Sequence, residues 1–316
     1  MNSAHIKQVA QELGFDACGI AQVHRIDDEA AARYEQWLNE GKNGCMAWAQ
    51  NYQEIRENPE LLLEGAQSVI VVAMNYYPQV FQPEEAPQFA YYAYGRDYHE
   101  VIKQRLWQLG EAIKRETGCT SRACVDSAPL RERYWAQRAG VGFVGWNNQL
   151  IIPNKGSYFF LGVLVTTLEL EPDEPCLEHC LQCGACEKAC PSGALRCGET
   201  VDARRCLSCL TIEHKGELPE WVAGVIGNRV YGCDECQKCC PHNRDAIGNT
   251  TPEFQPKPEL LALTLNDILS MTQEQFSKLF SHSAVKRAKL AGLQRNARTV
   301  ERRVERGERR EERGER

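Results

Sequence analysis

The chain has 316 residues, a length that accommodates roughly two domains. Its hydrophobic fraction of 43% and charged fraction of 25% are typical of a globular protein, and its longest apolar run (68–74) is far shorter than the roughly 18 residues of a membrane span. The net charge of −6 excludes a strongly basic nucleic-acid binder but allows a local phosphate contact, since residues 286–316 carry 12 Lys and Arg against 6 Asp and Glu.

The first 170 residues are predicted to form an α/β (α+β) domain. The polar N-terminus has no signal-peptide core and is typical of an amphipathic helix, so the expected location is the cytoplasm, with no membrane contact. Strands are expected at 68–78, a buried strand that ends at a proline, at 121–126, and at 156–170, a long and largely apolar strand. Helices are expected at 98–118, ending at a glycine, and at 129–140, opened by a proline.

Three further segments follow this domain. Residues 171–175 (EPDEP) are predicted to be a linker, and a cysteine-rich domain is expected over 171–245. A helical segment is predicted over 246–298. The end of the chain, 299–316, is highly charged and of low complexity, which predicts a disordered tail or a fraying helix.

Twelve of the sixteen cysteines lie between residues 176 and 240. Clustered thiols in a reducing compartment are more often metal ligands or redox groups than disulfides. The other four are interpreted as small buried hydrophobic residues: Cys18, Cys45, Cys119 and Cys124.

The stretch CLQCGACEKACP (180–191) has the spacing of a bacterial ferredoxin motif, C-x2-C-x2-C-x3-C-P. In such motifs three thiolates bind one [4Fe–4S] cluster and the fourth binds a second cluster. The motif therefore predicts further ligands downstream, and CDECQKCCPH (233–242) and RRCLSC (204–209) contain them.

We assign eight cysteines to two clusters. One cluster is expected to be bound by Cys180, Cys183, Cys186 and Cys240, and the other by Cys190, Cys206, Cys233 and Cys236. Cys240 is preferred to Cys239 because it precedes a proline. Paired C-x2-C units also build zinc sites, which is the structural alternative. Two clusters in so small a domain would pass electrons to a redox centre held by the first 170 residues.

The sequence resembles the epoxyqueuosine reductases, which complete queuosine at the wobble position of tRNA. The resemblance covers residues 5–298, and its order of motifs is that of the short form without C-terminal helical repeats. It rests on VDSAPLRERYWAQRAGVGFVGWNNQLI (125–151), GSYFFLG (156–162), CLQCGACEKACPSGAL (180–195), RRCLSCLT (204–211), IGNRVYGCDECQKCCPHN (226–243) and SAVKRAKLAGLQRNA (283–297).

This resemblance implies a cobalamin held by the N-terminal domain, reduced through two [4Fe–4S] clusters in a ferredoxin-like domain. It also implies that Asp126 donates a proton as the epoxide opens. A carboxyl group does so near neutral pH only if its pKa is raised, and burial against the macrocycle is expected to raise it. The alternative for Asp126 is a helix cap ahead of Pro129.

Other implied cobalamin contacts are Arg56, Gly156, Ser157, Ser208 and Asp234. For Arg56, an exposed charge without a ligand is an equal alternative. The anticodon stem-loop is expected to contact a basic surface formed by 286–298 with Arg204, Arg205 and Lys215, although a solvated helix face also fits this pattern.

The resemblance further implies an external low-potential electron donor and a monomer. Two other functions remain open. A corrinoid reductive dehalogenase uses the same cofactors on organohalides, and a ferredoxin-type electron carrier would bind the clusters without a corrinoid. The size of the N-terminal domain argues against the carrier.

Overall fold

The computed structural model describes residues 1–312, with side chains described to residue 304, and contains eight strands and twelve α-helices in that range. The strands are β1 Ala17–Gln22, β2 Ser68–Asn75, β3 Gln88–Phe89, β4 Ser121–Cys124, β5 Phe143–Val144, β6 Leu150–Ile151, β7 Phe159–Thr166 and β8 Arg229–Tyr231. The helices are α1 Ser3–Glu12, α2 Asp28–Asn39, α3 Gln53–Glu57, α4 Tyr98–Thr117, α5 Glu132–Arg138, α6 Ala185–Ala189, α7 Leu207–Ile212, α8 Glu235–Lys238, α9 Pro258–Leu261, α10 Leu265–Ser270, α11 Gln273–Leu279 and α12 Lys289–Glu312.

The N-terminal domain is built on a four-stranded sheet in the order β1-β2-β7-β4. Every neighbouring pair in this sheet is antiparallel. β2 and β7 lie at the centre and are buried over nearly their whole length, because both read as continuous apolar runs. The three strands predicted from the sequence are therefore confirmed, although all three are shorter than expected.

Both faces of this sheet are covered by helices. One face packs Ile70 and Leu164 against α1 and α4, and the other packs Val71 and Val163 against Trp135 of α5. The close approach of α4 requires Gly162, since a Cβ atom there would lie 2.5 Å from Cγ2 of Ile102. The result is a three-layer α/β/α arrangement, which agrees with the predicted mixed class.

Helix α4 has well-defined ends. The Asp97 carboxylate accepts a hydrogen bond from the backbone N–H of His99 (3.0 Å), which caps the first turn. Gly118 ends the helix with φ of 75°, a left-handed conformation that glycine adopts without strain. This confirms the helix predicted over 98–118. In contrast, α5 begins at Glu132, three residues after the predicted opener Pro129.

The segment 171–175 is packed rather than free. Asp173 donates its backbone N–H to the Ile20 carbonyl (2.8 Å), and its carboxylate accepts from the Ile20 N–H (2.9 Å) and pairs with Lys7. The predicted linker therefore runs along the N-terminal domain, beside β1.

The C-terminal helices share a hydrophobic core with the second half of the cysteine-rich domain. Leu207 and Val230 pack there with Phe280 and Leu293. Helix α12 crosses the predicted boundary at residue 298, and Val300 belongs to this core. Residues 299–312 are therefore helical, whereas 313–316 lie outside the described residues. Within the described residues, no helix has both the length and the hydropathy needed to cross a membrane.

Candidate active site and cluster-binding thiols

The first predicted set of thiols comes together beside a cavity. Cys180, Cys183, Cys186 and Cys240 line it together with His242 and other residues. The first three lie in and just before α6, and Cys240 follows α8, which packs against α6. Burial raises the pKa of Cys240, and the nearby sulfurs of the other three add to that shift. Four thiolates this close together would repel one another, and a positively charged metal group bound by all four would offset that repulsion.

The second predicted set is also brought together. Burial and the sulfurs of Cys233, Cys206 and Cys190 raise the pKa of Cys236 well above its ordinary value. Cys190 follows α6 directly, so this helix places consecutive motif cysteines in different sets. The spacing argument made the same division.

The buried Nε2 of His242 has no hydrogen-bond partner in the described structure, although it borders the first set. A metal cluster there would supply an acceptor, so the residues of the first set fit a [4Fe–4S] group.

Cys239, which precedes the chosen ligand, is the remaining nearby thiol. Its pKa is raised to about 11 by burial and by the sulfurs of Cys186 and Cys240. Cys240 lines the cavity with the other three members of the first set, whereas Cys239 is not among the residues that line it. This placement is consistent with Cys240 as the ligand.

Asp126 lies in the turn after β4, on the N-terminal domain. Its backbone has a positive φ of 46°, which is uncommon for a residue other than glycine. The Asp126 Oδ2 atom accepts a hydrogen bond from the Tyr98 hydroxyl (2.8 Å) and contacts Nε2 of His99 (3.3 Å). The other ring nitrogen of His99 lies 2.7 Å from Oδ1 of Asp97. The first turn of α4 thus surrounds the carboxylate with donors.

These contacts overturn the expected direction of the Asp126 pKa. Burial alone would raise it, but the hydrogen bonds from His99 and Tyr98 outweigh burial and hold the pKa below its ordinary value. For His99, burial is outweighed by hydrogen bonds to Asp126 and Asp97, which raise its pKa to about 9. Near neutral pH the carboxylate is therefore ionised, and the proton of the pair resides on the imidazole.

The helix-cap alternative for Asp126 is wrong. α5 begins six residues later, and its N-cap position, Arg131, makes no side-chain cap. Instead, the Asp126 backbone N–H donates to Oε1 of Glu132 (2.6 Å). Burial and the Asp126 charge raise the pKa of Glu132 to about 8. Glu132 thus fastens the turn that presents Asp126.

Sequence reasoning did not identify Asp97, Tyr98 and His99 as the residues that surround Asp126. Tyr98 also stacks on Phe160, with ring centroids 4.4 Å apart, and on His99, at 4.1 Å. The sequence signal for these residues is the polar triplet Asp-Tyr-His at the start of a predicted helix. A helix cap alone explains this triplet, so it does not point to Asp126.

Two of the predicted cobalamin contacts, Arg56 and Ser208, have accessible side chains, and the other three are engaged in internal contacts. Arg56 hydrogen-bonds the Asn51 carbonyl (3.0 Å) and lies 5.9 Å from the Trp48 ring, whose side chain is 42% exposed. Tyr52, four residues before Arg56, is 66% exposed. An exposed aromatic ring beside a guanidinium suits the apolar ring and polar amides of a corrin, and Ser208 on α7 is also partly exposed.

The other three predicted contacts are occupied internally. A Cβ atom on Gly156 would lie 2.2 Å from Oδ1 of Asn243, and the Ser157 hydroxyl hydrogen-bonds Asn243 and Gln237. Asp234 accepts from the Tyr91 N–H (2.8 Å), and burial raises its pKa to about 6. These residues join the N-terminal domain to the cluster domain.

The predicted basic surface is smaller than expected. Arg295 is buried and binds the carbonyls of Leu210 and Gly216, so it is a structural residue. The guanidinium groups of Arg287 and Arg204 pair with Glu213 and Asp202, and that of Arg205 binds the Ser192 carbonyl. Within the described part of the chain, the exposed side chains with no ion pair or hydrogen bond in this region are Lys215, Lys286, Lys289 and Arg298.

Two family models match the segments that contain these groups. "Epoxyqueuosine reductase QueG, DUF1730" covers residues 56–127, which end one residue after Asp126, and "4Fe-4S double cluster binding domain" covers 179–243. The epoxyqueuosine reductase of Cellulophaga algicola is 42% identical over 292 residues, which cover 92% of this chain and 95% of that one. The chain belongs to the epoxyqueuosine reductase family.

Solved structures of the family have the same fold. Epoxyqueuosine reductase in complex with an epoxyqueuosine-modified tRNA-Tyr stem loop aligns with a TM-score of 0.85 and 31% identity, over 94% of this chain and 80% of that one. The Bacillus subtilis enzyme, with its catalytic aspartate loop swung out of the active site, aligns with a TM-score of 0.87 and 30% identity. A catabolic reductive dehalogenase aligns only distantly, with a TM-score of 0.42 and 18% identity.

Proposed function

We propose that the chain reduces epoxyqueuosine to queuosine at the wobble position of tRNA. Membership of the epoxyqueuosine reductase family over nearly the whole chain carries this proposal. The two four-thiol sets and the Asp126–His99 pair support it, because removing an epoxide oxygen as water takes two electrons and two protons. The two electrons require electron carriers, and the protons require a side chain that can donate them.

Two [4Fe–4S] clusters and a cobalamin are the proposed cofactors. When bound, cobalamin supplies the low-potential, carbon-reactive metal that side chains lack. Arg56 and Ser208 are the proposed direct contacts, since their side chains remain accessible. Gly156, Ser157 and Asp234 would act by setting how closely the two domains approach one another at this site.

The proton would be held on His99 and delivered at Asp126. Oδ2 of Asp126 is occupied by His99 and Tyr98, whereas no described residue hydrogen-bonds Oδ1. A proton that moves from Nε2 of His99 to the carboxyl group can therefore be passed to the substrate oxygen. Asp97, 2.7 Å from the other ring nitrogen, orients the ring and stabilises its charge. This replaces the expected high-pKa carboxylic acid with a pair that shares one proton.

The proposed substrate is the anticodon stem-loop of tRNA. A family member bound to such a stem loop has the same fold, which supports this choice. Arg287 interacts electrostatically with Asp126, so the basic residues just before and at the start of α12 lie on the active-site side of the molecule. Lys286 and Lys289 are the proposed phosphate contacts there.

The test uses tRNA as its readout. Cells that lack the protein should accumulate epoxyqueuosine, measured by mass spectrometry of digested tRNA. The purified protein, reconstituted anaerobically with both cofactors and a low-potential reductant, should convert an epoxyqueuosine stem-loop to queuosine. Normal queuosine in the deletion strain, with no paralogue present, would refute the proposal. Dehalogenation of an aryl halide without action on the stem-loop would favour the organohalide alternative instead.

A further inference from the structure

Two cysteines outside both cluster sets face each other across the boundary between the domains. The Cys45 and Cys209 sulfurs lie 3.5 Å apart, although 164 residues separate them in sequence. Cys209 is 8% exposed, whereas Cys45 is exposed. The expectation that Cys45 is a small buried hydrophobic residue is therefore wrong, because the loop that carries it lies on the surface.

The loop that carries Cys45 is firmly attached to the cluster domain. The Trp37 ring nitrogen donates to the Val201 carbonyl (2.7 Å), and the Ala203 N–H donates to the Lys42 carbonyl (2.8 Å). Both contacts join residues 37–42 to the segment just before α7. They keep the two sulfurs adjacent without a covalent bond, so the pair is preorganised.

Little movement is needed to join the two sulfurs. A disulfide has an S–S distance of about 2.05 Å, so closure from contact requires an approach of about 1.5 Å. Cys45 follows Gly44, which has a positive φ of 56° and lies against the backbone of Arg204. The short gap between the sulfurs is the geometric basis for a cross-link at this position.

We propose that Cys45 and Cys209 form a disulfide when the protein meets hydrogen peroxide, and that they are a modification site separate from both clusters. The exposed Cys45 sulfur attacks the O–O bond and becomes a sulfenic acid, with release of one water. The Cys209 sulfur then displaces the hydroxyl group of that sulfenic acid, which leaves as a second water with the thiol proton. Two thiols are oxidised and one peroxide is reduced to two waters.

The bond would act on the helix that follows a cluster ligand. Cys209 lies on α7, three residues after Cys206 of the second set. The cross-link would therefore join the loop that carries Cys45, in the N-terminal domain, covalently to the helix next to that ligand. Ser208, a proposed cobalamin contact, lies on the same helix.

The experiment maps thiols in the anaerobically reconstituted holoenzyme. The protein is treated with a small molar excess of hydrogen peroxide, quenched with N-ethylmaleimide and digested for mass spectrometry. Most chains should contain a Cys45–Cys209 cross-linked peptide that dithiothreitol reverses. Cys209→Ser should instead accumulate a dimedone adduct at Cys45, and Cys45→Ser should give no cross-link. Cys119, which is also partly exposed and outside both sets, is the internal control and should stay alkylated.

Three outcomes would overturn the proposal. Cys45 could be alkylated as fully as in untreated protein, it could be oxidised to sulfinic or sulfonic acid without a cross-link, or it could be joined to a cysteine other than Cys209. Because the wild-type protein is mapped directly, the result does not depend on whether Cys209→Ser folds.

Discussion

Replacing His99 with glutamine should move the alkaline limit of activity to lower pH. In the wild-type protein the proton of the Asp126–His99 pair is lost as the pH rises through about 9, so kcat/KM should fall above that value. Glutamine keeps a hydrogen-bond donor near Asp126 but does not titrate. The proton must then reside on the Asp126 carboxyl group itself, so activity should be lost at a lower pH than in the wild type.

The size of the defect follows from that shift. At about pH 7.5 a carboxyl group is largely ionised, so kcat/KM should fall by at least about tenfold. The defect should shrink as the assay pH is lowered, because a larger fraction of the carboxyl group is then protonated. The assay is the anaerobic conversion of an epoxyqueuosine stem-loop, measured across this range. A His99→Gln defect that stays constant with pH would show that His99 only positions Asp126, and would refute the shared-proton mechanism.

Two variants serve as controls for this profile. Tyr98→Phe removes the 2.8 Å hydrogen bond to Asp126 but keeps the stacked ring and His99, so its alkaline limit should stay within about one unit of the wild type. Glu132 is the rival titrating group, because its pKa is raised to about 8. Glu132→Gln should leave the alkaline limit of kcat/KM unchanged. If the limit disappeared in this variant, the titrating group would be Glu132.

Three other outcomes are expected. Asp126→Asn should retain iron, sulfide and cobalamin in metal analysis, while turnover falls by at least about 100-fold. Cys240→Ser should lose about half of the iron, whereas Cys239→Ser should keep it, and the reverse would reassign the ligand. Lys286→Ala should weaken stem-loop binding and reduce the slope of log affinity against log salt concentration by about 1, measured by titration at several salt concentrations. Arg295→Ala should instead lower the melting temperature of the protein, because buried carbonyl groups lose their hydrogen-bond donor.

The thiol sets could be predicted from the sequence because ligand spacing is a local property. Three thiolates on one short turn, followed by proline, already specify which cluster each cysteine faces. The assignments of Cys206 and Cys240 follow from the same rule. Each cluster needs four thiolates, and the nearby motif does not supply all of them. The structure adds the placement of α6 against α8, which brings distant members together.

The proton-sharing pair could not be predicted in this way. His99 and Asp126 are 27 residues apart and meet only because α4 begins where β4 ends. From the sequence, each has an adequate local explanation as a helix-start residue. The expected direction of the Asp126 pKa failed for the same reason, because it considered burial without the donors that tertiary packing supplies.

The basic surface was overestimated because charge in a sequence carries no information about partners. Arg295 lies in a run of five cationic residues, yet it is buried against the carbonyls that end α7. Helix ends leave carbonyl groups unsatisfied, and a buried guanidinium provides several donors to them. Only the structure separates that role from phosphate binding.

The interleaved ligand order has a consequence for how the protein matures. Cys180 must wait for Cys240, which leaves the ribosome 60 residues later, and the second set spans a comparable stretch. Under the proposed assignment, neither metal group can be completed before residues 236 and 240 have been made, and filling one site constrains the backbone that serves the other. We therefore expect newly made protein to acquire both inorganic centres together, after synthesis of this domain is complete, and iron starvation to yield a species lacking both rather than a half-filled one.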